Sequence, residues 1–192
     1  MPPVRRAAAR ALLGAAILAG GSGAGAAVSV VGGGLAQDCY RSAMLASTKA
    51  TIPLSGLGAC DLALDQEVLG RDDLAGTYVN RGVIYLAAGK YARALKDFDV
   101  AVRTSPQLAD ALVNRGAALV GLGRDGEAVA EIDRGLALDP DQPEKAYFNR
   151  AVAKERLNDL KGAYFDYRRA LELKPDWDMP KVELARFTVA KP

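Results

Sequence analysis

The tripeptide Asn80-Arg81-Gly82 returns as Asn114-Arg115-Gly116, 34 residues later, and as Asn149-Arg150-Ala151, 35 further on. Behind Gly82, Gly116 and Ala151 the same classes of residue follow at fixed distances. An alanine comes twelve on (Ala94, Ala128, Ala163), a bulky apolar or aromatic residue four beyond it (Phe98, Ile132, Tyr167), and a proline eight beyond that (Pro106, Pro140, Pro175). Tyr78, Gly82 and Tyr85 fall on one helical face, as do Leu95, Phe98, Ala101 and Val102 on the next helix. Gly82 and Ala94 are small where the two helices approach. Gly89 and Gly123 end the first helices of their units, with Asn158 in the third, all tolerant of a left-handed backbone. The prolines close each second helix. One helix pair leaves an apolar side uncovered, so the units stack, and the predicted fold is an all-α solenoid of antiparallel helix pairs.

The period, the small residues and the closing proline resemble the tetratricopeptide repeat family, whose unit is a helix–turn–helix. The resemblance covers about residues 75 to 176 and implies units at 75–108, 109–142 and 144–177. Upstream, within a segment 27–70, Leu57 to Leu69 resembles an eroded second helix, with Cys60 standing 34 residues before Ala94 and residues 35–48 available as its partner. Downstream, 178–192 is expected to be a capping helix and tail, with Trp177 and Phe187 touching the last repeat.

The family pattern has a leucine before the small residue of the first helix, whereas this chain has Arg81, Arg115 and Arg150. Sixteen residues after each stands an acid: Asp97, Glu131 and Asp166. The recurrence predicts partly buried bidentate pairs between an arginine and the second helix of its own unit or of a neighbour, with solvated charges as the alternative. This variant resembles a subgroup common among bacterial exported and anchored repeat proteins.

The first residues read as an address. Arg5, Arg6 and Arg10 precede an apolar run from Ala11 to Gly20 and a small-residue stretch ending Ala24-Gly25-Ala26, the pattern of a secretory leader over 1–26, cleaved after Ala26 or Ala27. The expected location is the periplasm, without a membrane span after cleavage. An uncleaved N-terminal anchor is the alternative, because no charge occurs between Arg10 and Asp38. In an oxidising compartment Cys39 and Cys60 read as a structural disulfide. Their expected places, one opening each helix of an antiparallel hairpin, argue against it, unless the first helix is short or Cys39 precedes it. A redox-active pair would want Cys-x-x-Cys spacing.

Composition narrows the chemistry. The chain has no histidine, which removes the usual general base and the commonest metal ligand. Without the three leader arginines, 22 basic residues face 23 acidic ones, so the electrostatic footprint of a nucleic-acid binder is missing. No nucleophile–base pair stands out. The sequence therefore points to no catalytic residues, metal or cofactor. Gly121-Leu122-Gly123-Arg124-Asp125-Gly126 spells a dinucleotide fingerprint but falls in an expected helix–helix turn instead of after a strand. Acids at Asp139, Asp141, Asp176 and Asp178 lack calcium-loop spacing.

What remains is non-covalent binding. The resemblance implies that first helices line the concave side, where family members hold the backbone of an extended peptide with a ladder of asparagines. Asn80, Asn114 and Asn149 occupy the corresponding positions, and an amide suits that role because it carries both a donor and an acceptor. Their alternative is to bridge adjacent repeats. Val79, Val83, Leu86, Val113, Ala117, Val120, Phe148 and Val152 are expected on the same face, with Glu155 and Arg156 toward its end. This makes a mainly apolar groove, unless those side chains pack between units. Its occupant is a protein or peptide partner in the cell envelope, or an internal segment such as Val28-Ser29-Val30-Val31. The resulting expectation is an exported, non-enzymatic interaction scaffold. A structural protein that self-associates into a homo-oligomer is the alternative.

Overall fold

A computed structural model describes residues 4–6, 25–30, 34–48 and 56–189. Most of the expected leader, residues 7–24, lies outside the described residues. Nine helices occur among those described. The eroded leading unit supplies α1 (Leu35–Thr48) and α2 (Gly56–Gln66). The three clear units supply α3 (Arg71–Ala87) with α4 (Tyr91–Thr104), α5 (Ala109–Gly121) with α6 (Asp125–Leu136), and α7 (Pro143–Arg156) with α8 (Leu160–Leu173). Each helix packs on its partner and on the following pair, and the first helices α3, α5 and α7 also pack on one another in order. This is an all-α solenoid.

The positions that recur in sequence carry the close packing. A methyl group added at Gly82 would stand 2.5 Å from the Phe98 ring, and one at Gly116 2.4 Å from Ile132, so the helices of a pair touch where glycine recurs. The turns between paired helices hold Gly89 (φ 68°), Gly123 (φ 73°) and Asn158 (φ 64°) in the left-handed region. The glycine-rich Gly121–Gly126 run closes α5 and opens α6, in a turn.

At the C-terminal end the chain departs from expectation. The capping helix α9 (Asp178–Leu184) is only seven residues long. Phe187–Val189 then forms a strand, β2, paired antiparallel with β1 (Val4–Arg6) in the register Val4↔Val189, Arg6↔Phe187. Residues read as the tail of a helix thus pair with the start of the chain instead. The aromatic contacts of this end are those the sequence suggested: Trp177 lies 4.9 Å from Phe148, and Phe187 6.0 Å from Tyr164 and from Tyr167, between ring centroids.

Cys39 and Cys60 form a disulfide with a Cα–Cα distance of 4.7 Å, both fully buried. The objection that they would sit at opposite ends of a hairpin does not hold. Cys39 lies nine residues before the end of α1 and Cys60 four residues into α2. At 1.5 Å per residue the stagger to be absorbed is about 8 Å. The seven connecting residues can span up to roughly 23 Å. Neither a short first helix nor an early cysteine is needed.

Candidate functional site

Three arginine clamps fix the relative position of the units, and each reaches two helices. Arg81 donates through Nε (2.9 Å) and Nη2 (2.7 Å) to the two oxygens of Asp97 on α4, and through Nη1 to Asp61 on α2 (2.8 Å). Arg150 repeats the arrangement with Asp166 on α8 (2.8 and 2.7 Å) and Asp133 on α6 (2.6 Å). Arg115 pairs with Glu131 on α6 and, at 3.5 Å, with Asp99 on α4. Asp97 and Asp166 are 7% exposed at the side chain, so these are not solvated charges. Hydrogen bonding to Asp97 raises the Arg81 guanidinium above its ordinary range. Burial lowers that of Arg150, but bonds to Asp166 and Asp133 outweigh it and leave the group raised. Arg81 and Arg150 also stack on Tyr78 and Tyr147, 5.5 and 5.2 Å from the ring centroids. The second partners were missed in the sequence, although Asp99 and Asp133 recur 34 residues apart.

These clamps hold α3, α5 and α7 side by side, and on that face lies an extended stretch of the chain itself, residues 25–30. Asn80 Nδ2 donates to the Val28 carbonyl and Asn80 Oδ1 accepts from the Val28 N–H, both at 2.8 Å. Two residues upstream, Asn114 Nδ2 donates to the Ala26 carbonyl at 2.8 Å. Lys145 Nζ approaches the Gly25 carbonyl at 3.5 Å. The segment therefore runs from α7 back to α3 at two residues per asparagine, the repeat of an extended chain. Within it Ala26 and Val30 are buried, 3% and 6% exposed.

Small residues make this approach possible on both sides. A methyl group on Gly25 would stand 1.6 Å from Asn114 Oδ1, so no other residue fits there without moving the amide. On the helix side, a methyl on Gly76 would meet Val30 at 3.1 Å and Val28 at 3.4 Å. Gly76, Asp110 and Lys145 each stand about one turn before an asparagine of the ladder and share its period. Their residue types do not mark them in the sequence; the shared spacing is the signal that could.

The three asparagines are equally buried, at 0% exposure, but differ in their partners. Asn80 uses both amide atoms, Asn114 leaves Oδ1 unpartnered, and Asn149 leaves both Oδ1 and Nδ2 unpartnered. A buried amide atom without a partner costs about 1–3 kcal/mol, so the ladder is incompletely satisfied toward α7. Nearby, burial and the charge of Asp141 push the Asp110 carboxyl up to about 6, and burial brings the Lys145 ammonium down to about 8. A cavity of about 290 Å³ opens beside Lys145, lined also by Ser47, Thr48, Glu144, Lys174 and Trp177.

The expected apolar lining is placed differently. Val113 packs against Gly135, Ile132 and Ala146 between helices, and Phe148 against Tyr167 and Trp177, so these two do not face the segment. Val79, Val83, Leu86 and Ala117 belong to the cluster on which Ala27 and Val28 rest. Val120 and Val152 belong to the cluster of the later repeats. All eight are core residues, because a first helix is covered on both flanks by its neighbours. Glu155 accepts from the Tyr167 hydroxyl at 3.0 Å, and Arg156 donates to the Val120 carbonyl at 2.7 Å. Among the described residues no cluster of metal-ligating side chains occurs, and no helix is long and apolar enough to cross a membrane.

Stacked helix pairs bearing an asparagine on each clear first helix define a helical-repeat solenoid. Comparison with known proteins gives the repeat its name: residues 85–154 and 144–177 each match a tetratricopeptide repeat model, so the chain carries tetratricopeptide repeats over 85–177. No curated protein matches the chain. Among solved structures it is similar to the tetratricopeptide domain of Arabidopsis OM64, at 26% identity and a TM-score of 0.57, over 61% of this chain and 96% of that one. The first such domain of human RPAP3 is similar at 28% identity and a TM-score of 0.55, over 60% and 90% of the two chains. So is the first such domain of Spaghetti (RPAP3) bound to the HSP90 peptide SRMEEVD, at 28% and 0.55, over 59% and 90%.

Proposed function

We propose that the protein is an exported, non-enzymatic interaction scaffold that holds an extended peptide segment of a partner along α3, α5 and α7. The observation that carries this reading is the two-sided pairing of the Asn80 amide with the Val28 backbone, which reads a peptide bond irrespective of side chain. A relative of the same repeat class has been solved with a peptide bound. Export draws support from the leader-like start and from the buried disulfide, a bond that persists in oxidising compartments. The partner then belongs to the cell envelope, and the periplasm is the proposed location.

Crosslinking in intact cells tests the binding reading. Wild type should capture a specific species that the triple variant Asn80→Ala, Asn114→Ala, Asn149→Ala does not; equal capture by both removes the ladder from the account. N-terminal sequencing of the protein recovered from the envelope tests the leader. A start at Ala27 or Val28 is expected, and an intact Met1 with the protein in the cytoplasm would refute export.

A further inference from the structure

The two ends of the chain meet at the last repeat, and export takes one of them away. β1 (Val4–Arg6) lies within the expected leader 1–26, so cleavage after Ala26 or Ala27 leaves β2 (Phe187–Val189) without the strand that pairs with it. We propose that the place of β1 is, in the mature chain, a docking slot for one extended strand of a partner protein, added antiparallel to β2. The inference rests on the export reading above and adds a contact on β2 and α8, apart from the asparagine face.

The slot is built from groups that stay when the leader goes. Phe187 is 9% exposed, and its ring centroid lies 6.0 Å from those of Tyr164 and Tyr167 on α8. The preceding residue, Arg186, pairs with Glu155 on α7 and with Glu183 on α9. All these anchors of β2 lie C-terminal to the cleavage site. β1 packs against α8 as well as β2, and Val4 rests on the apolar cluster that contains Phe187, Tyr164 and Tyr167. The slot therefore has two walls, a strand edge and an apolar helix face. An open strand edge carries unpaired N–H and C=O groups and takes a further strand readily.

The seated leader shows what fits. The register Val4↔Val189, Arg5↔Thr188, Arg6↔Phe187 is antiparallel, so an occupant runs opposite to β2 and supplies its backbone in extended form. One side chain is selected. The residue in the place of Val4 meets the apolar cluster, where a charge would be desolvated without a partner. A second copy of this chain does not supply such a strand, because its own β2 is fixed to its own last repeat by Phe187 and Arg186. The occupant is a strand of a different protein with an apolar residue at that position.

The experiment compares the protein purified from the envelope, beginning at Ala27 or Val28, with the full chain from Met1 made without export. The probe is a fluorescent peptide capped at both ends, Gly-Ser-Val-Arg-Arg-Ser-Gly, whose centre is that of β1. The mature chain should bind it about tenfold or more tighter than the full chain, in which the resident strand reduces the open fraction. Binding should shift the amide resonances of Phe187, Thr188 and Val189 and leave the side-chain amides of Asn80, Asn114 and Asn149 unmoved. Aspartate in place of the peptide valine should weaken binding about tenfold or more. A peptide N-methylated at its three central residues should not bind.

Equal binding by the two chains, no binding by the mature chain, indifference to the aspartate or to methylation, or shifts confined to the asparagines would overturn the inference. A mature chain that dimerises through residues 187–189, or that does not fold, would overturn it as well. If the envelope protein still begins at Met1, export and the inference fail together. If it begins at Ala27 or Val28 and leaves the peptide unbound, the inference alone fails and the proposed function stands.

Discussion

Asn80, Asn114 and Asn149 are equivalent by position and unequal in what they bind, and that inequality has a stability consequence. Replacing Asn80 removes two good hydrogen bonds, whereas replacing Asn149 removes two unmade ones. Asn80→Leu should therefore lower stability by about 1–3 kcal/mol, and the similarly sized Asn149→Leu should be neutral or stabilising. Thermal melts of the two variants side by side check the difference. The clamps give a second test. Arg81→Leu strands the buried Asp97 carboxylate and should cost about 2–3 kcal/mol, discounted from a fully buried pair because Arg81 is partly exposed. In the double variant Arg81→Leu, Asp97→Leu the loss should be smaller than the sum of the single losses, as a double-mutant cycle would show.

Titration supplies a third residue-scale prediction. Asp110 has a folded pKa raised from 3.8 to about 6, so the folded state holds its proton more tightly than the unfolded chain. Its contribution to stability is present below about pH 4 and lost as pH rises through about 6. Asp110→Asn should accordingly stabilise by about 1–3 kcal/mol at pH 7.5 and leave pH 4 unchanged. Melting temperatures of variant and wild type at the two pH values measure this directly; a gain confined to the acid side would have the wrong sign.

At the scale of elements, what was legible depended on whether a feature repeated. The helix pairs, the left-handed turns at Gly89, Gly123 and Asn158, and the close contacts at Gly82 and Gly116 recur with the period and could be located from it. Gly76 and Lys145, which meet the extended segment, share the period with Asp110 but not a residue type, so no pattern of identity marked them. The strand pairing of Val4–Arg6 with Phe187–Val189 joins the two ends of the chain, and neither segment carries a periodic signal of its own. Val113 and Phe148, expected on the groove face, pack between helices instead, because helical periodicity shows that a face is apolar without showing which neighbour covers it. The α1–α2 pair, eroded in sequence, is held by the disulfide, which closes 21 residues of chain. Cys39→Ala with Cys60→Ala should cost about 3 kcal/mol in the chain-entropy model. Hydrogen exchange should place most of that loss in α1 and α2 instead of α5 to α8.

For the molecule as a whole, the stack and the strand across it form one unit. The solenoid presents a row of amides, and the chain turns back at its leading end to lay its own backbone against them. The measurement that tests this most directly is amide hydrogen exchange at Val28 in the full chain. Because that N–H is given to Asn80 Oδ1, Val28 should be protected to nearly the same degree as amides of α3, and Asn80→Ala should remove the protection while leaving α3 unchanged. Exchange at Val28 as fast as in an unfolded peptide, or protection unaffected by Asn80→Ala, would contradict the account.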